Sequence, residues 1–139
     1  MLRPSSTRRS RHAAAGFTLI ELMVVIALIS VLAGMGVVMY RNSIKRTQEA
    51  VLREDLFRMR DAIDQYYADK AKYPASLEAL VAEGYLRQIP RDPITNSSET
   101  WVTVPSEPDP GDPTAEVGIF DVKSGAEGTS IDGSPYADW

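Results

Sequence analysis

The residue with the clearest chemical consequence is Glu21, a carboxylate inside an otherwise uncharged apolar run. The run extends from Phe17 to Met39, which is 23 residues, and Glu21 is its one charged side chain. Inserting a carboxylate into a membrane-spanning helix costs about 3 kcal/mol, so such groups are usually paired or functional. The sequence therefore predicts a cationic partner or a specific role for Glu21.

A second set of oxygen-bearing groups lies near the end of the sequence. Hard cations such as Ca²⁺ prefer about six to eight oxygen ligands. The candidate ligands are Glu127, Asp132, Asp138 and free loop carbonyls. The same segment is rich in glycine and serine and would fray, yet it ends in Trp139, so something should hold it in place. A bound cation and packing of Trp139 alone are the two alternatives.

Residues suited to catalysis are scarce. The single histidine, His12, lies in the basic N-terminal segment, and cysteine is absent, which excludes thiolate chemistry and cysteine metal sites. The sequence contains no glycine-rich phosphate loop and no nucleophile motif. Asp61 and Asp64 fall on a predicted solvated helix face, where solubility is their simplest role. We therefore expect no enzymatic activity.

The apolar run fixes the first structural element. A helix from Phe17 to Met39 would be about 35 Å long, enough to cross a hydrocarbon core of about 30 Å. A buried helix of a soluble protein is the alternative. The segment before the run carries four arginines and no acid, which by the positive-inside rule keeps the N-terminus in the cytoplasm.

Three export signals are compatible with a basic segment followed by an apolar run. A secretory signal would be cut after Ala33 and would release a soluble protein. A twin-arginine signal would use Arg8 and Arg9, although the residues expected after that pair are missing. In the third alternative the cut precedes the apolar run.

A long second half of the helix is predicted after the run. No glycine or proline occurs between Arg41 and Lys70, so we expect one continuous helix of about fifty residues, ended by Tyr73-Pro74. One face of its second half is apolar and should seat a globular domain. The residues of this face are Leu52, Leu56, Met59, Ile63 and Tyr66.

A short helix and a small sheet should follow. Ser76 and Gly84 bound the short helix as N-cap and left-handed stop. The strand candidates, 100–104 and 117–122, are rich in β-branched and aromatic residues. Between them, residues 105–114 contain repeated prolines and acids and are predicted to be an exposed loop.

The start of the apolar run also carries a family resemblance. Gly16-Phe17-Thr18-Leu19-Ile20-Glu21 resembles the prepilin peptidase site of type IV pilins and type II secretion pseudopilins. The resemblance implies cleavage after Gly16, N-methylation of Phe17, and Glu21 as the fifth residue of the mature chain. It further implies that Glu21 pairs with the Phe17 amine of a neighbouring subunit when the chain polymerises through its N-terminal helix.

The same resemblance implies a fold and a division of the chain. The expected fold is α+β and type IV pilin-like, with a long N-terminal helix packed on a small C-terminal antiparallel β-sheet. Residues 1–16 would be the leader, 17–40 the transmembrane and assembly part, and 41–139 a periplasmic globular domain. The implied location is the bacterial inner membrane, with the N-terminus cytoplasmic, followed by a periplasmic filament.

Two further stretches favour one branch of this superfamily. Residues 73–80, 84–86 and 89–93 look like the loop between helix and sheet in the major pseudopilins, the G subunits of type II secretion systems. The final segment resembles their calcium-binding loop, which implies calcium as cofactor, with the candidate ligands Ser124, Glu127, Asp132 and Asp138. Glu127 stands where the family usually has aspartate, and the segment after Gly128 is shorter, so the position of Asp132 departs from the pattern.

Three functions of different classes are compatible with these observations. The favoured one is a subunit of a periplasmic pseudopilus, with prepilin peptidase, an inner-membrane assembly platform and minor pseudopilins as implied partners. The others are a pilin of a surface filament and a soluble or singly anchored periplasmic binding domain. Without the four leader arginines the chain has 11 basic and 19 acidic residues, a formal charge of −8, which argues against nucleic acid as a partner.

Overall fold

The computed structural model describes residues 16–108, 110–112, 114 and 116–139. The predicted leader, apart from Gly16, lies outside the described residues. The elements in chain order are α1 (Leu19–Lys70), α2 (Leu77–Ala82), β1 (Val102–Pro105), β2 (Ile119–Lys123) and a 3₁₀ turn (Tyr136–Asp138). The chain divides into two compact units, one ending at Met39, the N-terminal unit, and one spanning Tyr40–Trp139, the globular unit.

The first helix is continuous, as the sequence predicts. It contains 52 residues and ends at Lys70, three residues before Tyr73. Ala71 follows with a φ of 54°, a left-handed conformation that stops the helix before the proline acts. The prediction of one helix of about fifty residues is confirmed, and its end lies slightly earlier than predicted.

In the N-terminal unit the helix has an apolar surface that nothing covers. Every residue from Gly16 to Met39 is exposed. Within the residues that the structure describes, α1 is the one helix long and apolar enough to cross a membrane, with a window of mean hydropathy 2.7 and no buried residue in that window. The apolar side chains here therefore have no packing partner within the described chain.

The globular unit has its core on the second half of α1. The predicted apolar face of α1 is buried, with no member more than 6% exposed. It packs against side chains from α2, both strand regions and the final turn. These partners include Leu80, Trp101, Val122 and Tyr136. The prediction that this face seats the domain is confirmed.

The short helix α2 begins and ends as its sequence predicts. The hydroxyl of Ser76 accepts a hydrogen bond from the Ala79 amide at 3.2 Å, which satisfies one of the free donors of the first turn. Gly84 has a φ of +83° just after the helix, a conformation in which glycine carries no steric penalty. Tyr85 and Leu86 then pack against the core as partly buried side chains.

The sheet consists of β1 and β2, which pair antiparallel with Val102 opposite Lys123 and Thr103 opposite Val122. Both strands begin two residues later than predicted. Pro105, which the sequence placed in the loop, is the last residue of β1. It is tolerated because the register is irregular between Val104 and Pro105, and a strand end can accommodate a residue without an N–H donor.

Two features attach the sheet region to its surroundings. Arg60 of α1 donates to the Asp121 carboxylate at 2.7 Å and to the Val122 carbonyl at 2.9 Å. After β2, Gly125 passes so close to Thr100 that a Cβ atom would overlap the Thr100 carbonyl oxygen. The predicted α+β fold, with a long helix and a small antiparallel sheet, is confirmed.

Candidate functional site

The predicted processing residues lie just before the first helix. Gly16 and Phe17 are outside the helix and exposed, with Phe17 84% exposed. A Cβ atom at Gly16 would meet no atom within 4 Å. The fold of the described residues therefore does not explain why this position is a glycine. A requirement of a second molecule that recognises this site would explain it.

Thr18 caps the helix and thereby positions Glu21. The Thr18 hydroxyl accepts a hydrogen bond from the Glu21 amide at 3.2 Å, and the Thr18 carbonyl accepts from Leu22 at 3.1 Å. Threonine followed three residues later by glutamate is the spacing of a capping box. Glu21 thus lies in the first turn, where the helix dipole favours a negative charge.

The Glu21 side chain itself has no partner in the described part of the chain. Its carboxylate makes no hydrogen bond and no ion pair there, and it is surrounded by exposed apolar side chains such as Leu22 and Val25. If the apolar surface is covered, by lipid or protein, the carboxylate needs a cation from outside the described residues.

The predicted calcium ligands lie in different environments. Ser124 is buried, and its hydroxyl donates to Asp92 at 2.8 Å and accepts from the Ala126 amide at 3.1 Å. Asp132 lies 3.6 Å from Arg53. Glu127 and Asp138 are exposed.

These side chains do not form a metal centre as they are placed. Among the described residues, no three Asp, Glu, His or Cys side chains are grouped so that they could hold a metal ion. The predicted carboxylates alone therefore do not supply a converging ligand set, and calcium binding stays a prediction.

Two buried carboxylates were not singled out from the sequence. Asp92 is fully buried and accepts hydrogen bonds from the amides of Ile94 and Thr95 and from Ser124. Glu49 is 5% exposed and accepts from the Ile131 amide at 2.9 Å and from the Tyr136 hydroxyl at 2.8 Å. Glu49 lies three residues before Leu52, so it continues the apolar face of α1 with a charge, and that was the available signal.

The N-terminus identifies the class of protein. Residues 11–37 match the family model described as the prokaryotic N-terminal methylation motif. This motif, the apolar N-terminal half of α1 and the small α+β globular unit together define a prepilin-type, pilin-like protein.

Similarity to curated proteins shows which pilin-like family the chain resembles. The chain is 32% identical to the type II secretion system core protein G of Pseudomonas aeruginosa over 102 residues, which cover 62% of the chain and 72% of that protein. It is 29% identical to the same protein of Vibrio cholerae over 136 residues, 84% of the chain and 88% of the relative. The fimbrial protein EcpC of Eikenella corrodens is 40% identical over 60 residues, 43% of the chain and 39% of that protein. No solved structure matches.

The chain belongs to the family of type II secretion system core protein G, and it is a pseudopilin subunit.

Proposed function

We propose that this chain is the repeating structural subunit of a type II secretion pseudopilus and that it has no catalytic role. Three findings support the proposal: family membership, the methylation motif at residues 11–37, and the uncovered apolar surface of the N-terminal unit.

The first step is insertion and processing. The apolar part of α1 holds the chain in the inner membrane, with its N-terminus in the cytoplasm and the globular unit in the periplasm. A prepilin peptidase cuts after Gly16, and the new amine of Phe17 is methylated. The exposure of both residues and their position outside the helix support access by the peptidase.

The second step is pairing between subunits. Cleavage creates a positive charge at Phe17, and the Glu21 carboxylate of a neighbouring subunit binds it. At about 4 Å and an effective dielectric constant of about 20, two unit charges attract by about 4 kcal/mol. This compares with the cost of about 3 kcal/mol for a carboxylate in a membrane helix. The pair therefore offsets the cost that each subunit carries while it is alone in the membrane.

The third step is growth of the filament. The apolar surface can leave lipid only by packing against copies of itself, so the subunits polymerise through their N-terminal helices. An inner-membrane assembly platform and minor pseudopilins are the further partners of this process. The observation that carries the proposal is a carboxylate with no partner in the described chain on an uncovered apolar helix.

Replacing Glu21 with valine tests the pairing step. We expect Glu21→Val to be cut and methylated normally but to form few or no filaments, since it lacks the charge that recruits the neighbour's amine. Intact mass of the membrane-extracted protein measures processing, and sedimentation of filaments released by opening the outer membrane measures assembly. Leu28→Val, which changes an exposed apolar residue of the same helix, is the control and should assemble. Normal filaments from Glu21→Val would contradict the pairing mechanism.

A pilin of a surface filament is the second candidate, because one relative is a fimbrial protein. The two functions differ in where the filament ends. Imaging cells that express the chain at its natural level distinguishes them, since a pseudopilus stays within the periplasm whereas a surface pilus extends beyond the cell.

A further inference from the structure

The last thirteen residues, 127–139, form a segment that lies against one face of α1, and we refer to them as the C-terminal segment. Lys45, Glu49 and Arg53 recur every four residues and so lie on one side of the helix. The Lys45 ammonium donates to the Thr129 carbonyl at 2.9 Å. The Arg53 guanidinium lies 4.3 Å from the centre of the Trp139 ring. Three successive turns of α1 thus contact the C-terminal segment.

Glu49 is the middle and most buried of these three residues. Its Oε1 atom accepts hydrogen bonds from both the Ile131 amide and the Tyr136 hydroxyl. An unpaired buried carboxylate would destabilise the fold strongly, whereas two donors satisfy it. Burial, together with the hydrogen bond to Glu49, raises the pKa of the Tyr136 phenol to about 12, so the phenol remains a donor at neutral pH.

The C-terminal segment is shaped to deliver these two donors to one point. Gly128 and Gly133 have φ values of +99° and +87°, which turn the chain twice. The Ser130 amide donates to the Ser134 carbonyl at 2.8 Å, which closes the turn that carries Ile131. The Tyr136 amide donates to the Gly128 carbonyl at 3.2 Å and brings the phenol back toward the helix.

The groups that converge on Glu49 are donors or acceptors of hydrogen bonds, and this determines what kind of group they can bind. A loop that binds a divalent cation points oxygen acceptors inward. Here an N–H group and an O–H group converge, and both are donors, so the group at the centre must be an acceptor, which is the Glu49 carboxyl group. Asp132, the residue after Ile131, is directed to Arg53 at 3.6 Å rather than to a shared centre.

We propose that the Glu49 carboxylate is the internal anchor that orders the C-terminal segment, and that this anchor makes the fold of the segment independent of a bound divalent cation. The anchor is part of the chain itself and does not depend on the proposed role in a filament. It differs from the calcium prediction made from the sequence, and the two can be separated by experiment.

Hydrogen exchange on the full chain in detergent tests the anchor. Glu49→Gln keeps the size of the side chain and one acceptor oxygen but removes the charge. We expect amide protection in the C-terminal segment to fall about tenfold or more, because two hydrogen bonds to a charged group become weaker neutral ones. Protection in α2 should stay within about twofold, because the hydrogen bonds of Glu49 go to Ile131 and Tyr136 and not to α2. Glu54→Gln, an exposed glutamate of the same helix that pairs with Arg58, is the matched control and should change neither region.

A second variant keeps the test valid if Glu49→Gln unfolds the whole domain. Tyr136→Phe removes one of the two donors and retains the ring that packs against Trp139. It should lower protection in the C-terminal segment by a smaller factor than Glu49→Gln and should leave α2 protected. Wild-type protection of the segment in Tyr136→Phe and in a folded Glu49→Gln would overturn the proposal.

A comparison with and without calcium distinguishes the Glu49 anchor from a metal site. Wild-type chain treated with a chelator is compared with the same chain in millimolar CaCl₂. We expect equal protection of the C-terminal segment and melting temperatures within about one degree, since no cation contributes to the anchor. A calcium-dependent rise of tenfold or more in protection would overturn the proposal and support the calcium site predicted from the sequence.

Discussion

Glu21 and Glu49 are the same side chain on the same helix, placed in opposite circumstances. Glu21 is exposed among apolar residues, and its carboxylate is bound by none of the residues that the structure describes. Glu49 is buried and receives two hydrogen bonds from a segment more than eighty residues later in the chain. Both acids interrupt an apolar surface, so each needs a partner. The partners of Glu49 are intramolecular, whereas the partner proposed for Glu21 belongs to another subunit.

The comparison extends to the two units as wholes. In the globular unit the identities of the buried residues are explained by what they contact within the chain. In the N-terminal unit the apolar side chains and Gly16 have no such internal explanation. In the proposed function, the residue types of the N-terminal unit are required by contacts with lipid, peptidase or neighbouring subunits. Matched substitutions in the two units test this contrast.

The largest expected effect comes from one substitution made at two positions of α1. Leu56 is 2% exposed and Leu28 is 60% exposed. Leu56→Ala should lower the free energy of unfolding of the globular unit by about 2–5 kcal/mol, because it leaves a cavity. Leu28→Ala should leave it unchanged. Denaturant unfolding in detergent, followed by the fluorescence of Trp101 and Trp139, measures both. Equal losses in the two variants would show that the units are not energetically distinct.

A smaller effect is expected for added methyl groups. Gly125→Ala places a Cβ against the Thr100 carbonyl and should destabilise the globular unit by about 1–3 kcal/mol, the usual cost of overpacking. Gly34→Ala meets open space in a helix and should favour helix by about 1 kcal/mol. Thermal unfolding for the first variant and helix content by circular dichroism for the second check these signs. A neutral Gly125→Ala would mean that the strand ends can separate freely.

The smallest effect concerns Asp55, a half-buried acid of the globular unit. Burial raises the pKa of Asp55, while Arg58 opposes that shift and Glu54 and Asp92 add to it. The native state therefore holds the proton more tightly than the unfolded state, and this group's contribution to stability is lost as pH rises through the raised pKa. Asp55→Asn should be slightly more stable than wild type at pH 7, with the gain shrinking toward pH 3. Urea unfolding across this range measures it, and Asp64→Asn on the exposed face is the control.

Local sequence signals account for most of the secondary structure. The absence of glycine and proline between Arg41 and Lys70 and the spacing of the apolar face were enough to predict α1. Ser76 and Gly84 were enough to bound α2, because caps depend on neighbours within one turn. Strand starts were two residues off, and Pro105 was wrongly kept out of β1, because strand ends depend on the partner strand.

The anchoring of the C-terminal segment could not be predicted in the same way. The sequence indicated that something must hold this segment, but Glu49 is separated from Ile131 by 82 residues and from Tyr136 by 87. Nothing in either local sequence specifies that contact. Asp92 was missed for a similar reason, since its bond to Ser124 joins positions 32 residues apart. The roles predicted for Gly16, Phe17 and Glu21 rest on a short motif and stay predictions.

The contact between α1 and the C-terminal segment also constrains when the domain can fold. Lys45, Glu49 and Arg53 are synthesised long before the residues they bind, so the domain cannot close until its last dozen residues have emerged. Until then the apolar face around Leu52 and Leu56 has no cover on that side. Contacts of such long sequence separation form slowly. We therefore expect the nascent chain to need protection from aggregation until the C-terminal segment is in place.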